Sequence, residues 1–409
     1  MRRVRFSVVA SLLATVLLAC VGGEDTSSSQ NEAEEPEVAG RLLVADGAAG
    51  RLVVVDLATG EAVASLAIEG PARVYASSDG LRGFAVQTNN DAVQGVLSGI
   101  RYENHGDHVD AVTSEPELLA ELVVSCSRPV HFVPHAGFAA AFCDGDGMLH
   151  VFQDTGYGEA FSATVVDSGR PHHGVGVVAF DRILVSSPNP DDAEDALPVG
   201  VRALDLSGNE EAEFHECPGL HGEVVTDEHA CFGCSDGVLC LYEEAGELQH
   251  IKLSHPEGAA EGLRVGRLAT SGGSSVMVGN WGEDLVLLDV ESLSLSAVAI
   301  GETYLSYALT EDGAHVVVLT AAGELRRVDL STGETVASVM VLPNFEVEAG
   351  HGQLRPTFIL SHAHAYVVDP RYPEIYEVDM EEFALTERRV TLDDGQYHSL
   401  ALVAEPAYH

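Results

Sequence analysis

Short runs of alternating apolar and polar residues, separated by turns rich in Gly and Asp, repeat along most of the chain. The clearest example is residues 129–152, PVHFVPHAGFAAAFCDGDGMLHVF. It predicts a strand ending at Pro134, a turn, a strand over 138–143, an Asp-Gly turn and a strand over 148–152. A fourth strand over residues 160–166 completes the unit. Alternation with period two between such turns is typical of β-sheet and not of helix.

One four-stranded sheet has two apolar faces, which it can bury only against similar sheets. The unit is therefore expected to recur, and the sequence shows that it does. Residues 55–68 (VDLATGEAVASLAI) and 328–341 (VDLSTGETVASVMV) are near-duplicates. Candidate inner strands follow one another at intervals of mostly about 40 to 50 residues, the period of a propeller blade. They begin near Arg73, His131, His173, His221, Gly266, Leu305, Thr357 and His398.

This pattern predicts an all-β fold, a β-propeller of eight blades, or of seven if one unit is misread. Residues 41–68 supply three strands without an inner one, and residues 397–404 supply a single strand. Pairing of these two ends would complete one blade, close the ring and remove its exposed strand edges. Residues 39–409 are therefore predicted to form a single propeller domain.

Composition fits this fold and narrows the range of partners. The 409 residues include 41 Gly, which suits an all-β chain with many turns. Acidic residues number 64 against 21 basic ones, for a net charge of −43. No basic cluster follows residue 5, so nucleic acid is excluded as a partner. The acidic surface attracts cations, although solubility alone would also account for it.

The N-terminus has the features of an export signal. Three arginines precede an apolar run over residues 6–19 that is too short to span a bilayer. The run ends in LLAC, which resembles a bacterial lipobox with Cys20 as the lipidated residue; a plain signal peptide is the alternative. Residues 1–20 are thus predicted to be a lipoprotein signal peptide, and residues 21–38 a flexible acidic tether. The protein would be lipid-anchored to a bacterial membrane, in the periplasm or at the cell surface.

Six cysteines follow Cys20, and an even number in an exported protein favours disulfides, although six cysteines allow 15 pairings. They are Cys126, Cys143, Cys217, Cys231, Cys234 and Cys240. Cys231 and Cys234 form a CxxC motif inside a predicted strand. Residues three apart in a strand point to opposite faces, so these two are not expected to pair with each other.

Several histidines stand where predicted inner strands begin, a position that lines the centre of a propeller. His131, His173 and His221 come from three consecutive blades, so their rings can converge. Three neutral imidazoles around an open fourth position are a familiar zinc arrangement. Glu223 shares a strand face with His221 and is a candidate fourth ligand or hydrogen-bond acceptor. A single histidine at such a position is more often structural, but the repetition favours a metal site.

The remaining inner-strand positions limit where the metal can lie. His398 belongs to the closing blade and lies farther round the ring, so it is a lower-ranked ligand candidate. Arg73 occupies the equivalent position in blade 2, where a cation would repel a metal ion. The site is therefore expected off the ring axis, away from Arg73. The turn at residues 144–147 (DGDG) is interpreted as an ordinary hairpin turn and not as a calcium site.

A second histidine cluster is predicted at the opposite mouth. Blade 2 carries a long insertion with His105, Asp107 and His108, and an insertion of this length should have a use or be disordered. Two histidines with an aspartate are compatible with metal, although an ordinary polar loop is the alternative. His135 ends the inner strand of the neighbouring blade 3. The topology therefore allows His105, His108 and His135 to meet.

Together, the histidine-bearing segments resemble the periplasmic zinc metallochaperones of the AztD type. The matching segments are residues 105–108 (HGDH), 129–135 (PVHFVPH), 171–175 (PHHGV), 217–223 (CPGLHGE) and 232–238 (FGCSDGV). The resemblance covers roughly residue 41 to the C-terminus. It implies a β-propeller that binds Zn²⁺ in the periplasm and hands it to the solute-binding protein of a zinc ABC importer. Two features depart from the pattern: the lipobox, and an insertion that continues as Val109-Asp110 without further histidines.

The hypothesis is that His131, His173 and His221 hold one zinc ion while His105 and His108 capture or relay another. Imidazoles bind zinc only when neutral, and free histidine titrates near ~6.5, so zinc affinity should collapse below about pH 5.5. On this hypothesis we expect the protein to be a zinc carrier and not an enzyme. The alternatives are an exported propeller enzyme, such as a lactonase or a quinone-dependent dehydrogenase, and a protein-interaction scaffold. Neither a carboxylate constellation nor a tryptophan docking pattern supports the enzyme, since Trp281 is the one tryptophan.

Overall fold

The structure, a computed structural model, describes residues 40–105, 109–155, 162–191, 196–256, 259–260, 262–271, 275–349 and 352–405. Cys20, the predicted signal peptide and the predicted tether lie outside these residues. The described residues contain 34 strands and one 3-10 turn, Thr88–Asn90. In this part of the chain, no helix has the length and apolar character needed to cross a membrane.

Eight four-stranded antiparallel sheets form the blades of a propeller, so the prediction of eight blades is confirmed. Blades 1 and 2 consist, from the inner to the outer strand, of Tyr397–Val403, Arg41–Asp46, Arg51–Asp56 and Glu61–Ala67, and of Arg73–Ala76, Arg82–Gln87, Ala92–Leu97 and Glu117–Ser125. Blades 3 and 4 consist of Pro129–His135, Phe138–Cys143, Met148–Gln153 and Ala163–Asp167, and of Gly176–Ala179, Arg182–Ser187, Gly200–Asp205 and Glu210–Phe214.

The second half of the ring repeats this order. Blades 5 and 6 consist of Glu223–Val225, Ala230–Cys234, Gly237–Glu244 and Glu247–Ser254, and of Leu268–Thr270, Met277–Trp281, Asp284–Asp289 and Ser294–Val298. Blades 7 and 8 consist of Tyr304–Leu309, His315–Thr320, Glu324–Asp329 and Thr335–Met340, and of Thr357–Leu360, His364–Val368, Glu374–Asp379 and Ala384–Thr391.

The middle strands of each blade form the core. The second strand of blade 3, Phe138–Cys143, has five consecutive buried residues, and so does His315–Thr320 in blade 7. Neighbouring blades cover both faces of these strands, which is why they are continuous apolar runs. Outer strands such as Glu61–Ala67 and Thr335–Met340 instead alternate between exposed and half-buried residues, because only one face packs on a neighbour.

Because the inner strands run in the same direction, each blade presents the start of its inner strand to one face of the ring, here called the front face. The end of each inner strand lies at the opposite, back face. The observed inner strands begin within three residues of every predicted start. His173 and His221 differ slightly from expectation: they lie in the loops that lead into their strands, which begin at Gly176 and Glu223.

Blade 1 joins the two ends of the chain, as predicted. Its inner strand Tyr397–Val403 pairs antiparallel with Arg41–Asp46, with Leu42 opposite Leu402. Asp46 stabilises this junction, because its carboxylate accepts hydrogen bonds from the backbone nitrogens of Ala48 (2.9 Å) and Gln396 (3.2 Å) and pairs with Arg51 at 2.8 Å. Gln396 immediately precedes the closing strand, so one buried carboxylate links both ends of the chain.

Replacing Asp46 by asparagine should lower the free energy of unfolding by about 1.5–3 kcal/mol, the usual value of hydrogen bonds to a buried charged group. Burial alone would raise the pKa of Asp46, but its hydrogen bonds and Arg51 outweigh burial and lower the pKa. A lowered pKa means that the stabilisation is present above the unfolded value near ~3.9 and is lost as the pH falls through the folded value. Denaturant titrations at pH 7 and pH 3 should therefore show a difference from wild type that shrinks in acid.

Asp289→Asn is the matched control, since Asp289 accepts similar turn hydrogen bonds from Glu291 and Ser292 but is exposed. It should change stability little at either pH. Equal effects of the two substitutions would show that Asp46 has no special part in closing the ring.

Three disulfides connect the six cysteines of the propeller: Cys126–Cys143, Cys217–Cys234 and Cys231–Cys240. The first links the end of blade 2 to the second strand of blade 3. The second links the loop before blade 5 to the second strand of that blade, and the third joins neighbouring strands within blade 5. Cys231 and Cys234 do not pair with each other, as the strand geometry predicts.

Candidate metal centre

Three histidines from consecutive blades meet at the front face. His131 is the third residue of the inner strand of blade 3, whereas His173 and His221 lie in the loops just before the inner strands of blades 4 and 5. The Nε2 atoms of His131 and His173 are 3.3 Å apart, and those of His173 and His221 are also 3.3 Å apart. His173 therefore lies between the other two rings.

Each of these rings is held by an acceptor at its Nδ1 atom. His131 Nδ1 lies 3.1 Å from Glu223 Oε1, His173 Nδ1 lies 2.7 Å from Asp144 Oδ2, and His221 Nδ1 lies 2.6 Å from the carbonyl oxygen of Gly266. Carbonyl and ionised carboxylate oxygens only accept hydrogen bonds, so each Nδ1 atom carries the proton and donates it. The Nε2 atom of each neutral ring is left with a free lone pair.

The spacing of the Nε2 atoms suits a tetrahedral metal ion. Nitrogens that bind zinc at ~2.0–2.1 Å in tetrahedral geometry lie about 3.3–3.4 Å apart, as both measured pairs do. The third pair is more open, since the ring centroids of His131 and His221 are 5.9 Å apart against 4.9 Å for each of the other pairs. Among the described residues, no group of three or more His, Cys, Asp and Glu side chains already forms a closed metal cluster. A small approach of the outer two rings would close the three-nitrogen set.

Burial makes this arrangement costly without a cation. The side chains of His131 and His173 are only 17% and 32% exposed. Two unprotonated Nε2 atoms cannot hydrogen-bond to each other, so their lone pairs repel at 3.3 Å. A proton or a metal ion among the three nitrogens would relieve that repulsion. The three Nε2 atoms are therefore chemically suited to hold a cation between them.

The first and last rings of the set have opposite pKa shifts. Burial alone would lower the pKa of His131, but the charge and hydrogen bond of Glu223 outweigh it and raise the pKa. The pKa of His221 is lowered, mainly by burial, because its backbone acceptor Gly266 adds no full negative charge. His221 is therefore more readily kept neutral for metal binding, and His131 is the ring at which protons compete more strongly.

Glu223, a candidate fourth ligand from the sequence, is placed as the acceptor of His131. Both of its carboxylate oxygens lie 3.1 Å from His131 Nδ1, and its side chain is only 8% exposed. This contact fixes the ring orientation and the tautomer and makes the imidazole a better electron donor toward a metal.

Sequence reasoning missed the acceptors of the other two rings. Asp144 belongs to the DGDG segment, which does form a turn, yet its carboxylate is 6% exposed and holds His173. The signal available was its position directly after Cys143, at the front-face end of a buried strand. Gly266 contributes a backbone oxygen, which no side-chain pattern could have revealed.

His398 does not join the three histidines in the described structure. It lies in the closing strand of blade 1, next to Arg73, and its Nδ1 atom has no hydrogen-bond partner among the described residues. The pKa of His398 is lowered by burial first and by the charge of Arg73 second. It is therefore a half-buried neutral ring on the blade-1 side of Arg73.

Of the predicted second cluster, His135 ends the inner strand of blade 3 at the back face. His135 lines a cavity of about 600 Å³ together with Ser78, Asp227 and Glu228. Burial lowers the pKa of His135, against the attraction of Asp227 and Asp154. The ring therefore remains neutral beside two carboxylates, as a metal ligand must be.

The insertion of blade 2 forms a two-stranded hairpin, Ile100–Asn104 with Val109–Thr113. His105 lies 3.4 Å from Asp110 and 4.0 Å from Glu103, both on the same hairpin. At its base, the Tyr102 hydroxyl donates a 2.8 Å hydrogen bond to the Ala404 carbonyl, which ties the hairpin to blade 1. Asp107 and His108 lie outside the described residues, so their place relative to His135 stays a prediction.

Some known proteins are similar to this chain both in sequence and in fold. The zinc chaperone AztD of Citrobacter koseri is 30% identical over 363 residues, which is 87% of this chain and 84% of that protein. A crystal structure of the Citrobacter koseri protein superposes with a TM-score of 0.82 at 28% identity, covering 90% of this chain and 99% of that one. The structure of its apo form gives a TM-score of 0.81 at 27% identity, covering 89% and 97%.

More distant structures share the fold alone. Dihydro-heme d1 dehydrogenase NirN matches with a TM-score of 0.61 at 10% identity, over 90% of this chain and 75% of that one. Because the identity is so low, the catalytic function of such a neighbour does not transfer to this chain. No family model matches the sequence.

Proposed function

The chain belongs to the AztD family of zinc chaperones, and on this basis we propose that it carries Zn²⁺ outside the cytoplasm and passes it to the solute-binding protein of a zinc ABC importer. The carrier site is the set of His131, His173 and His221. One observation carries this proposal: all three Nδ1 atoms are occupied by acceptors, which leaves the Nε2 atom of His173 at zinc-ligand spacing, 3.3 Å, from the Nε2 atoms of both His131 and His221.

The chemistry of the site suits delivery of an ion as well as its capture. Three neutral imidazoles leave the fourth position of a tetrahedral zinc ion for water or for a ligand from an acceptor. Imidazole–zinc bonds can be exchanged one at a time, and each released ring keeps its Nδ1 partner and its orientation. The site thus stays arranged for the next ion while the present one leaves.

A carrier accounts for the site better than a hydrolase. Three histidines with an open position also activate water in zinc enzymes, where a nearby base or acid moves the proton. The two carboxylates that contact these rings, Asp144 and Glu223, are both engaged with Nδ1 atoms. Both carboxylates therefore lie on the Nδ1 side of their rings, away from the Nε2 atoms that face the open position, where a general base would be needed. Incubating the zinc-loaded protein with lactones and esters should give no turnover.

The location of the carrier follows from the family and from the N-terminal sequence. We infer an extracytoplasmic protein, with lipid attachment at Cys20 as the more specific hypothesis. Metabolic labelling with a fatty acid should label the wild type and not Cys20→Ala. We further propose that His105, Asp107, His108 and His135 form a separate capture site, which predicts a second, weaker equivalent of bound zinc.

The test of the carrier site is a competition titration of the metal-free protein with a zinc chelator. Wild type should bind zinc at pH 7.5 and lose most of its affinity at pH 5.5, because protons then compete for the ring nitrogens. The double variant His131→Ala/His173→Ala should lose the tighter equivalent. Unchanged zinc affinity in that variant would overturn the site assignment.

Asp144→Asn should weaken zinc binding about 10- to 100-fold, the usual effect of removing a carboxylate that supports a histidine ligand. The amide keeps the shape of the side chain but cannot hold the His173 Nδ1 proton with a full negative charge. Asp146→Asn is the matched control in the same turn, since Asp146 bonds only to the backbone of Met148 among the described contacts. Chelator competition on both variants checks this, and equal zinc affinities would contradict it.

A further inference from the structure

Arginine side chains flank the three histidines on both sides along the front face. Arg73 is the first residue of the inner strand of blade 2, and Arg267 directly precedes the inner strand of blade 6. Blades 2 to 6 therefore present, in order round the ring, Arg73, His131, His173, His221 and Arg267. Arg264 lies three residues before Arg267 in the same loop.

These arginines are close to the metal centre. A Cβ atom placed on Gly266 would lie 3.5 Å from Arg264 Nε and 3.7 Å from His221 Nδ1, so these two nitrogens are no more than about 7 Å apart. On the other side, the charges of Arg73 and Arg267 both act on the hydroxyl of Tyr75, which lies on the inner strand of blade 2. The charge of Arg73 acts on His131, and the charge of Arg264 acts on His221.

Arg73, Arg264 and Arg267 are exposed, and none of them forms an ion pair within the described part of the chain. Ten other basic residues of the propeller do pair with carboxylates. The chain carries 64 acidic residues against 21 basic ones, so carboxylate groups that could pair with an arginine are abundant. Three unpaired guanidinium groups beside the metal centre therefore form a local positive region on an acidic protein.

Tyr307, on the inner strand of blade 7, holds Arg267 in place. The Tyr307 hydroxyl donates a 2.9 Å hydrogen bond to the Arg267 carbonyl, and the Arg267 guanidinium lies 5.0 Å from the centre of the Tyr307 ring. Stacking on an aromatic ring orients a guanidinium without using up its hydrogen-bond donors. The donors of Arg267 remain available to a ligand.

We propose that Arg73, Arg264 and Arg267 form an anion site at the mouth of the metal centre, which binds a carboxylate-bearing ligand. The guanidinium fork matches a carboxylate, and a carboxylate oxygen is a suitable fourth ligand for zinc. The role at the zinc ion rests on the proposed carrier function; the anion site itself does not. The arginines would weaken the hold on the zinc ion by charge repulsion and would draw an anionic acceptor to its open position.

Two sources offer the same chemistry, a free polycarboxylate or the Asp and Glu side chains of an acceptor protein. Calorimetric titration of the zinc-free protein with citrate and with a hexa-aspartate peptide distinguishes them. Wild type should bind at least one of the two, and Arg73→Gln/Arg267→Gln should bind that ligand at least about tenfold more weakly, by loss of two charge-assisted contacts. Failure of both ligands to bind to wild type, or equal binding to wild type and the variant, would overturn the anion site.

Rates of zinc removal test the link to transfer. Nitrilotriacetate, an anionic chelator, should remove zinc from wild type about tenfold faster than from Arg73→Gln/Arg267→Gln, whereas an uncharged polypyridyl chelator should show no such difference. Equal slowing with both chelators would contradict an anion site. Because the calorimetry uses zinc-free protein, a failed carrier function would leave its result standing.

Arg389→Gln is the matched control for charge. Arg389 is also exposed and has no ion pair among the described residues, but it lies on the outer strand of blade 8, 4.4 Å from the centre of the Tyr376 ring. The Arg389→Gln substitution removes one positive charge far from the front-face histidines. It should leave anion binding and both chelator rates at the wild-type level, and a loss equal to that of an Arg73→Gln single variant would point to net charge and not to the site.

Discussion

Replacing His173 by alanine is expected to lower zinc affinity about 100- to 1,000-fold. Four-ligand zinc sites bind with roughly 10–16 kcal/mol, so one ligand accounts for about 3–4 kcal/mol, and each 1.4 kcal/mol is about tenfold in affinity. His173 should be the most sensitive of the three rings, because its Nε2 atom is 3.3 Å from each of the other two. Its loss leaves His131 and His221, the more widely separated pair. Chelator competition at pH 7.5 measures the change.

The neighbouring His172 provides the control. Its Nδ1 atom lies 2.8 Å from the Arg170 carbonyl and its Nε2 atom 2.9 Å from the Ser186 hydroxyl, so both nitrogens are already used. His172→Ala should retain zinc affinity within about threefold, although it loses buried hydrogen bonds and some stability. A larger loss of zinc affinity in His172→Ala than in His173→Ala would contradict the assignment of ligands.

Removing the disulfide between Cys126 and Cys143 with a pair of alanine substitutions should destabilise the propeller by about 3 kcal/mol. The cross-link spans 17 residues, and a closed loop of that size restricts the unfolded chain by roughly this amount. Zinc affinity should also fall, about three- to tenfold, because Cys143 directly precedes Asp144 and the bond fixes the turn that holds His173. Denaturant unfolding and chelator competition measure the two effects separately.

The disulfide Cys231–Cys240 allows the two effects to be told apart. It spans 9 residues within blade 5, and neither of its cysteines is next to an Nδ1 acceptor along the chain. Its removal should cost a similar stability, about 2.5–3 kcal/mol, with little change in zinc affinity. If both disulfide variants lost the same zinc affinity, the loss would come from general destabilisation and not from a displaced Asp144.

The ring could be predicted from the sequence because its determinants are local and repeated. The near-duplicate segments at 55–68 and 328–341 both lie at the third and outer strands of their blades, as the spacing implied. The strands at the two ends of the propeller each had an unpaired edge, and pairing them with each other left neither edge exposed. Closure of the ring could therefore be predicted. The bounds of single strands were less accurate: the third strand of blade 3 extends to Gln153 and not to Phe152.

The site was predictable only in part, for a physical reason. Equivalent positions in consecutive blades bring side chains together whatever the details of packing, so His131, His173 and His221 could be named in advance. The resemblance to the AztD family is confirmed by the sequence and structural relatives. What orients the rings depends on the exact path of loops: a carboxylate in a turn, and one backbone oxygen of Gly266. Pairing of the six cysteines likewise required three-dimensional proximity, because the sequence allowed 15 arrangements.

The division between the closing blade and the blades that carry the three histidines has a consequence for biogenesis. The three disulfides, the three rings and their three acceptors all lie between Cys126 and Gly266, whereas completion of blade 1 needs residues near both termini. As a chain emerges from its N-terminus and its parts fold in that order, this middle segment becomes available for oxidation and metallation well before the last strand arrives. Cargo loading and ring completion can thus be separate events in the maturation of one polypeptide.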